Sequence, residues 1–158
     1  MITKKNKYKH NKTKKSKKGK KVKDIFNIFR QYYPKIFPSG YFRFLMASIE
    51  KHIKNKTIIY KNGVVLTWNI YKKTVKKGNK CVIKPGDLKI KQLVNKNQGN
   101  GKAKDIFIKF INKHKDKTLW LEVRQDNKRA IKFYKKNGFR KVCNTTFGGL
   151  NGIIMRKI

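Results

Sequence analysis

The sequence predicts a single α/β (α+β) domain, and two local patterns carry that prediction. Leu88 to Phe110 reads as an apolar strand, a polar turn and an amphipathic helix, because Ile106, Phe107 and Phe110 recur at helical spacing. Asn62-Gly63 stands between two short apolar runs, which is a strong signal for a β-hairpin. The 158 residues suffice for one domain with one hydrophobic core, and no internal repeat is visible.

The first 23 residues differ in composition from the rest of the chain. They contain twelve lysines and almost no apolar side chains. Residues 1–23 are therefore predicted to be a basic disordered tail, and residues 24–158 the folded domain. The tail could contact nucleic acid or the ribosome through phosphate groups. The alternative is a solvated segment that only increases solubility.

The folded part is expected to begin with two helices. Asp24 is the predicted N-cap of a helix that ends before Pro34, and a second helix over 39–54 has one apolar face. Two strands at 57–60 and 64–71 form the hairpin, and the basic segment 72–86 is predicted to be mostly loop. The strand over 88–94 and the turn precede the last elements, which are a helix over 101–114, a strand over 119–124, a helix over 127–137 and an antiparallel pair over 140–145 and 152–155.

The charge of the chain is extreme. Its 44 basic side chains against 7 acidic ones give a net charge of +37. Such a field attracts polyanions, for example nucleic acid, an anionic membrane or a phosphorylated cofactor. The bias towards Lys, Asn and Ile codons in an AT-rich genome is the competing explanation.

The cysteines and the apolar runs narrow the class of protein further. Cys81 and Cys143 lack the spacing of metal ligands, so no metal site is expected. They indicate a reduced, intracellular protein, and we expect a cytoplasmic location. No apolar run has the length of a membrane span, and the basic N-terminus lacks the apolar core of a secretory signal.

The central turn, Gln98-Gly99-Asn100-Gly101-Lys102-Ala103, indicates a site for a phosphate group. The first backbone N–H groups of a helix are unpaired, and the positive end of the helix dipole favours an anion there. Glycine lets the anion approach the backbone closely. The spacing matches neither a Walker A loop nor GxGxxG, so an ordinary strand–turn–helix without a ligand fits the turn equally well.

A second motif lies in residues 118–139, TLWLEVRQDNKRAIKFYKKNGF. Its LEV, Asn127, Ala130, Tyr134 and Gly138-Phe139 follow the pattern LxV…N…A…FY…GF, and the central turn follows Q/R-x-x-G-x-G/A. Both motifs in this order resemble the GCN5-related N-acetyltransferase (GNAT) superfamily. The segment from residue 118 is most similar to the ribosomal-protein alanine N-acetyltransferases. The resemblance implies a GNAT-like domain with a mixed, mostly antiparallel central sheet flanked by helices, whose strands splay apart at the cofactor site.

The resemblance also implies acetyl-CoA as the co-substrate. The backbone amides of the central turn would bind its pyrophosphate, and a backbone N–H at the end of the preceding strand would polarise the acetyl carbonyl. This chain has one residue fewer than the family pattern between the strand and the glutamine. The residues expected to bind the cofactor are Leu93, Val94, Gln98, Gly99, Asn100, Gly101, Lys102, Ala103 and Asn127.

Two side chains are candidates for catalysis. Tyr134 matches the family tyrosine that protonates the departing thiolate, and a phenol with a pKa near ~10 can donate at neutral pH; the alternative is a core tyrosine. Glu122 is the candidate general base, because it alone of the carboxylates lies in a predicted core strand, where burial would raise its pKa. The alternative is a structural glutamate paired with Arg124 or a lysine. His52 and His114 are predicted to be solvated on helix surfaces.

These patterns predict a transferase, namely an acetyl-CoA-dependent N-acetyltransferase that acts on a primary amine, expected to be that of a protein, by direct attack. In the family pattern Tyr32, Tyr33 and Tyr41 would lie near the acceptor, and Trp68 could face its channel, although core packing explains all four.

Two rival functions stay open. The first is a GNAT-fold domain with lost or altered chemistry that binds nucleic acid through its basic surface. The second is acetylation of a small amine or metabolite, which an acidic cleft built from Glu50, Asp87 and Glu122 would favour.

Overall fold

The computed structural model describes residues 17, 19–32, 40, 42–77, 80–147 and 149–158. Tyr33, Tyr41 and most of the predicted basic tail lie outside the described residues. Among the helices that the structure describes, none is both long and apolar enough to cross a membrane.

Four helices are present in the described part of the chain. α1 covers residues 19–30, and the others are Phe42–Lys54 (α2), Lys102–Lys113 (α3) and Lys128–Lys136 (α4). The N-cap of α4 is Asn127, whose side chain accepts a hydrogen bond from the Ala130 N–H at 3.1 Å. The N-cap position of α3 is Gly101, which has no side chain to accept a capping hydrogen bond and whose φ of 76° lies in the left-handed region that favours glycine.

The strands form a large sheet and a small one. The large sheet contains Ile58–Lys61 (β1), Val64–Ile70 (β2), Leu88–Asn95 (β5), Leu119–Arg124 (β6), Arg140–Phe147 (β7) and Leu150–Lys157 (β8). The small one is a hairpin of Val75–Lys77 (β3) and Cys81–Ile83 (β4). The order in the large sheet is β1-β2-β5-β6-β8-β7, in which β5 and β6 are parallel and all other neighbours antiparallel. The predicted mixed, mostly antiparallel sheet flanked by helices is therefore confirmed.

The sheet has two faces with different coverings. On the face that we call the α3–α4 face, Leu66, Ile90 and Leu121 pack with Phe107 of α3 in the main core. On the opposite face, α1 and α2 cover Val65 and its neighbours at one end. The β3–β4 hairpin covers Trp120 and its neighbours at the other end. The predicted loop over 72–86 is thus partly wrong, because three-residue strands are too short to show a period in the sequence.

The folded part of the chain begins earlier than predicted. Residues 19–23 are helical, and Val22 is 3% exposed in a cluster with Ile25 and Phe29. The predicted N-cap at Asp24 is therefore wrong. Val22 is a single apolar residue among lysines, which is a weak local signal, and its burial depends on tertiary packing. The disordered tail stays a prediction for residues 1–16, which lie outside the described residues.

The two cysteines are joined by a disulfide that links β4 to β7, with 6.3 Å between the Cα atoms of Cys81 and Cys143. The expectation that both are reduced is wrong in this structure. They are separated by 62 positions in the sequence, so only the placement of the hairpin over the sheet brings them together. The cytoplasmic location stays a prediction.

Candidate active site

A gap opens in the middle of the sheet between β5 and β6. The two strands pair only from Leu88 with Leu119 to Ile90 with Leu121, although β5 continues to Asn95 and β6 to Arg124. Beyond Ile90, the edge of β5 that faces β6 has no strand partner among the described residues. Such an edge can offer backbone N–H and C=O groups that no neighbouring strand pairs with, as at Leu93, although the Asn95 carbonyl oxygen accepts from the Tyr32 hydroxyl group. The splayed strands expected at the cofactor site are present.

A β-bulge marks the start of the gap. Thr67 of β2 pairs with Gln92 and Trp68 pairs with Ile90, so Lys91 is the extra residue of β5. A bulge bends the strand and increases its twist, which turns the end of β5 away from β6. Past the bulge, Leu93 packs with the main core on the α3–α4 face. Val94 packs on the opposite face with Val65 and the apolar side chains of α1 and α2, a group that we call the α1–α2 cluster.

The central turn follows β5 directly and leads into α3. Gly99 and Gly101 both have positive φ, 85° and 76°, and no atom lies within 4 Å of where a Cβ would stand on either. The backbone there borders open space, which is what the close approach of a phosphate requires. The turn is stiffened by asparagines: Asn100 Oδ1 accepts from Asn95 Nδ2 at 2.9 Å and from the Lys102 N–H at 3.1 Å. The Lys102 amide therefore already has a partner, and the other turn amides are the better candidates for an anion.

The first turn of α4 lies beside the central turn. Arg129 Nη1 donates to Gln98 Oε1 at 2.5 Å, and both side chains are exposed. Lys102 and Lys104 on the first turn of α3 are also exposed. These cations favour a phosphorylated ligand at the helix N-termini. The sequence interpretation missed Arg129, because nothing local indicates that α4 starts beside residue 98. Ala103, by contrast, packs against the main core.

Tyr134 lies on α4 among aromatic side chains of the main core. Its ring centroid is 5.7 Å from that of Phe107 on α3 and 5.9 Å from that of Phe139. Burial raises the pKa of the Tyr134 phenol to about 12, so it keeps its proton at neutral pH. No described residue forms a hydrogen bond with its hydroxyl group, which leaves that group available as a donor.

Glu122 occupies the position just after Leu121, where the pairing of β6 with β5 stops. One of its oxygens, Oε1, accepts hydrogen bonds from two ammonium groups, that of Lys77 on β3 and that of Lys89 on β5, the latter at 2.8 Å. The contact lies on the opposite face of the sheet, which the hairpin covers at this end.

The pKa of Glu122 differs from the expectation. Burial is the largest single influence and raises it, but the hydrogen bonds and charges of Lys77 and Lys89 together outweigh burial. The pKa of the carboxyl group is therefore lowered, and the expected increase is wrong. Burial also lowers the pKa of the Lys89 ammonium, against the stabilising effect of Glu122. The sequence interpretation missed both lysines as site residues, although Lys89 stands between two apolar residues of a predicted strand.

Several other candidates have structural roles. His52 is buried and its Nδ1 lies 2.8 Å from Thr57 Oγ1, and His114 packs against Phe110 with a ring-centroid distance of 4.7 Å, so the prediction that both are solvated is wrong. Burial lowers the pKa of both histidines. Trp68 is a core residue 4.9 Å from the ring of Phe110.

The acceptor candidates are engaged in contacts as well. The Tyr32 hydroxyl donates to the Asn95 carbonyl oxygen and thereby joins the end of α1 to the end of β5. Asp87 accepts from Trp120 Nε1 and from the Lys84 N–H, each at 2.9 Å. The Asp87 and Glu122 carboxylates are thus both occupied, which weakens the case for an acidic acceptor cleft. Among the described residues, no group of three His, Cys, Asp or Glu side chains could hold a metal ion.

The chain shares its fold with solved acetyltransferases. It is similar to a GNAT-family acetyltransferase from Streptococcus agalactiae, with 15% identity, a TM-score of 0.64, and 88% of this chain and 90% of that chain covered. It is also similar to Chaetomium thermophilum Naa20 in complex with a bisubstrate analogue, with 14% identity, a TM-score of 0.56 and 72% of each chain covered.

A third similar structure is the NatC complex bound to Gag peptide and CoA, with 14% identity, a TM-score of 0.51, and 70% of this chain and 77% of that chain covered. No family model and no curated protein sequence matches the chain. The finer resemblance to the ribosomal-protein alanine N-acetyltransferases stays a prediction. The six-stranded sheet with its gap between β5 and β6, flanked by four helices in the described residues, is a GNAT fold.

Proposed function

We propose that this protein is an acetyl-CoA-dependent N-acetyltransferase that acts on a primary amine. The observation that carries the proposal is the gap between the parallel strands β5 and β6, which ends beside an open glycine turn at the start of α3. A strand edge without a neighbouring strand suits an amide-bearing arm, and the turn suits a pyrophosphate. Coenzyme A carries both groups, and its acetyl thioester supplies an activated acyl group.

The residues proposed to hold acetyl-CoA follow the path from the gap to the helix ends. Leu93 and Val94 form the end of β5 beside the gap. The backbone groups of Leu93 face away from β2, whereas those of Val94 face Val65 of β2. Asn127 positions the start of α4. Arg129 joins the set because it bonds to Gln98 beside the turn. The turn residues that would bind the pyrophosphate are Gln98, Gly99, Asn100, Gly101, Lys102 and Ala103, mainly through the amides that have no partner inside the turn.

Tyr134 is the proposed general acid. Its phenol stays protonated at neutral pH because burial raises its pKa to about 12. A thiolate leaving group needs a proton as the C–S bond breaks, and a positioned hydroxyl group supplies one.

Glu122 is the proposed base, but its lysine partners change the role that we propose for it. Its lowered pKa keeps it ionised at neutral pH but makes it a weak base. Its first task is therefore to bind the acceptor as an ammonium ion beside the gap, in the place that the Lys77 ammonium takes in this structure. The proton then passes through the carboxylate to water.

A protein amine is the proposed acceptor. One similar structure, the NatC complex, is described with a bound peptide. In this chain Glu122 lies where β5 and β6 separate, so an acceptor amine that reaches it would stand beside the gap. The net charge of +37 would repel lysine-rich tails and favour an acceptor on a nucleic-acid particle such as the ribosome.

One observation favours the rival function of nucleic-acid binding. In the described residues, the basic side chains with an acidic partner are Lys77, Lys89, Lys117 and Arg124. Most of the basic side chains in the part of the chain that the structure describes therefore have no neutralising neighbour of this kind. Loss of acetyl-CoA binding together with tight, salt-sensitive binding of RNA or DNA would establish that rival.

The test of the proposed function is calorimetric titration of the whole chain with acetyl-CoA at about 150 mM salt, where the non-specific attraction of exposed charges is screened. Dephospho-CoA and a plain polyphosphate are the control ligands. We expect saturable one-to-one binding of acetyl-CoA. No binding beyond that of the polyphosphate would refute the proposal.

A pair of matched variants locates the binding site. Gly101→Ala and Gly86→Ala place the same methyl group at positive φ, 76° and 89°, and both face open space. Each should therefore cost a similar strain of about 1–2 kcal/mol. Only Gly101→Ala should also weaken acetyl-CoA binding, because only Gly101 lies at the start of α3. Equal affinities of the two variants would remove the turn from the site.

A further inference from the structure

We propose that Lys77 is an internal acceptor, so that the protein acetylates its own Lys77 side-chain nitrogen. This inference rests on the proposed function, because the acetyl group must come from acetyl-CoA bound in the gap between β5 and β6.

The β3–β4 hairpin holds Lys77 over the gap. The hairpin is outside the central sheet and lies on its opposite face, where Val75 packs against the cluster around Trp120. The disulfide ties Cys81 of β4 to Cys143 of β7, and Cys143 Sγ lies 3.6 Å from the Lys77 carbonyl oxygen. The backbone of Lys77 is therefore fixed to the sheet, and its side chain reaches Glu122 from outside.

Lys77 is a better candidate for the acceptor than Lys89, which donates to the same Glu122 oxygen. Lys89 belongs to β5, the wall of the gap, and its side chain is only 16% exposed. The Lys77 side chain is 34% exposed and comes from a separate element. Because its side chain is the more exposed of the two, it can leave the carboxylate and turn towards a carbonyl carbon in the gap more easily than Lys89 can.

The contact already has the chemistry of a bound acceptor. Any acceptor amine arrives as an ammonium ion and must meet the base before it can attack. Here the Lys77 ammonium donates to Glu122 Oε1 at the first position where β5 and β6 separate. A positioned intramolecular amine reacts much faster than a free one, because the entropy of bringing the groups together is already lost.

The transfer balances in protons and electrons. The Lys77 ammonium gives one proton to Glu122, and the neutral nitrogen attacks the thioester carbonyl carbon. A C–N bond forms and the C–S bond breaks. The thiolate takes a proton from Tyr134, whose hydroxyl group regains one from the acylated nitrogen through water, and Glu122 returns its proton to solvent. The products are Nε-acetyl-Lys77 and coenzyme A with a free thiol.

Acetylation would change the site. It removes the positive charge of Lys77 and its ion pair, so Lys89 would be the cationic partner left to Glu122 among the described residues. The carboxylate would then be open to an incoming acceptor in the place that the Lys77 ammonium now occupies.

The experiment is a time course of the full chain with deuterium-labelled acetyl-CoA, analysed by intact mass and peptide mapping. Because a positioned amine gains from proximity, we expect Lys77 to be labelled at least about tenfold faster than its exposed neighbour Lys76. The labelling rate should not depend on protein concentration. Lys77→Arg should abolish the fast label and Lys76→Arg should not. The urea-unfolded chain measures ordinary chemical acetylation.

Each result decides the question. Fast, concentration-independent labelling of Lys77 that slows in Tyr134→Phe supports the inference. If acetyl-CoA binds in the calorimeter but Lys77 reacts no faster than in the unfolded chain, the inference fails and the proposed function stands. Labelling of Lys89 instead, or a rate proportional to protein concentration, overturns internal transfer to Lys77. If acetyl-CoA does not bind, the proposed function and the inference fail together.

Discussion

Replacing Glu122 with glutamine should destabilise the fold, because it removes the one negative charge that faces two ammonium groups. The Glu122 side chain is 13% exposed, and Lys89 is nearly as enclosed. Breaking a fully buried ion pair costs about 3–5 kcal/mol, since the remaining charge is left without a partner. Lys77 can turn into solvent, which relieves part of the penalty, so we expect a loss of about 2 kcal/mol in the free energy of unfolding at pH 7.

The pH dependence of this loss has a definite sign. Burial raises the pKa of Glu122, but Lys77 and Lys89 lower it by more, so the folded-state pKa lies below the ordinary value of 4.5. A carboxyl group with a lowered folded-state pKa contributes stability that is complete above its unfolded pKa and is lost as the pH falls through its folded pKa. The difference between wild type and Glu122→Gln should therefore be full at neutral pH, decrease below about pH 4.5 and vanish in stronger acid.

Urea denaturation followed by circular dichroism measures the difference at each pH. Glu50→Gln is the matched control, because Glu50 is exposed on α2 and forms no ion pair with a described residue. The control should change the free energy of unfolding by less than about 0.5 kcal/mol. Equal losses in the two variants, or a difference that stays constant from neutral pH into acid, would refute the assignment of Glu122 as the ionised partner of two lysines.

Two further predictions concern the proposed acid and the domain boundary. Tyr134→Phe should lower turnover by about 10²–10⁴-fold with acetyl-CoA affinity unchanged, while Tyr60→Phe should not; full turnover would exclude Tyr134 as the acid. Since the pKa of Tyr134 is about 12, the wild-type rate should not decline through loss of its proton between about pH 6 and about pH 9. Val22→Ala should cost about 1–3 kcal/mol in urea denaturation because Val22 is buried, and the exposed control Lys23→Ala should cost almost nothing; equal effects would place Val22 outside the core.

The elements that the sequence predicted well are those whose cause is local. Asn62 and Gly63 both have positive φ, 53° and 74°, as a two-residue hairpin turn between β1 and β2 requires. Gly101 starts α3 and Asn127 caps α4, within a residue of the predicted boundaries. In each case the residue type determines the backbone geometry over two or three positions, and the sequence displays that directly.

The features that were missed depend on contacts between distant segments. Arg129 meets Gln98 across 31 positions, and Lys77 meets Glu122 across 45. Burial of Glu122 was predicted correctly from its strand, but the sign of its pKa shift depends on two lysines, one of them from a segment predicted to be loop. An isolated strand shows whether a carboxylate is enclosed, and only the assembled sheet shows which charges enclose it.

The bulge at Lys91 lets one strand, β5, contribute to the candidate site in two places: beside Glu122 and at the glycine turn. Before it, alternation places Leu88 and Ile90 in the main core and Lys89 on the opposite face. With Lys91 as the extra residue, Leu93 returns to the main core, and the strand turns away from β6. Lys91 thus separates two parts of β5. The part before it holds Lys89 beside Glu122, and the part after it borders the gap and leads into the glycine turn. Deleting Lys91 would restore regular pairing with β2 and should close the gap, so it should abolish acetyl-CoA binding while the sheet still folds.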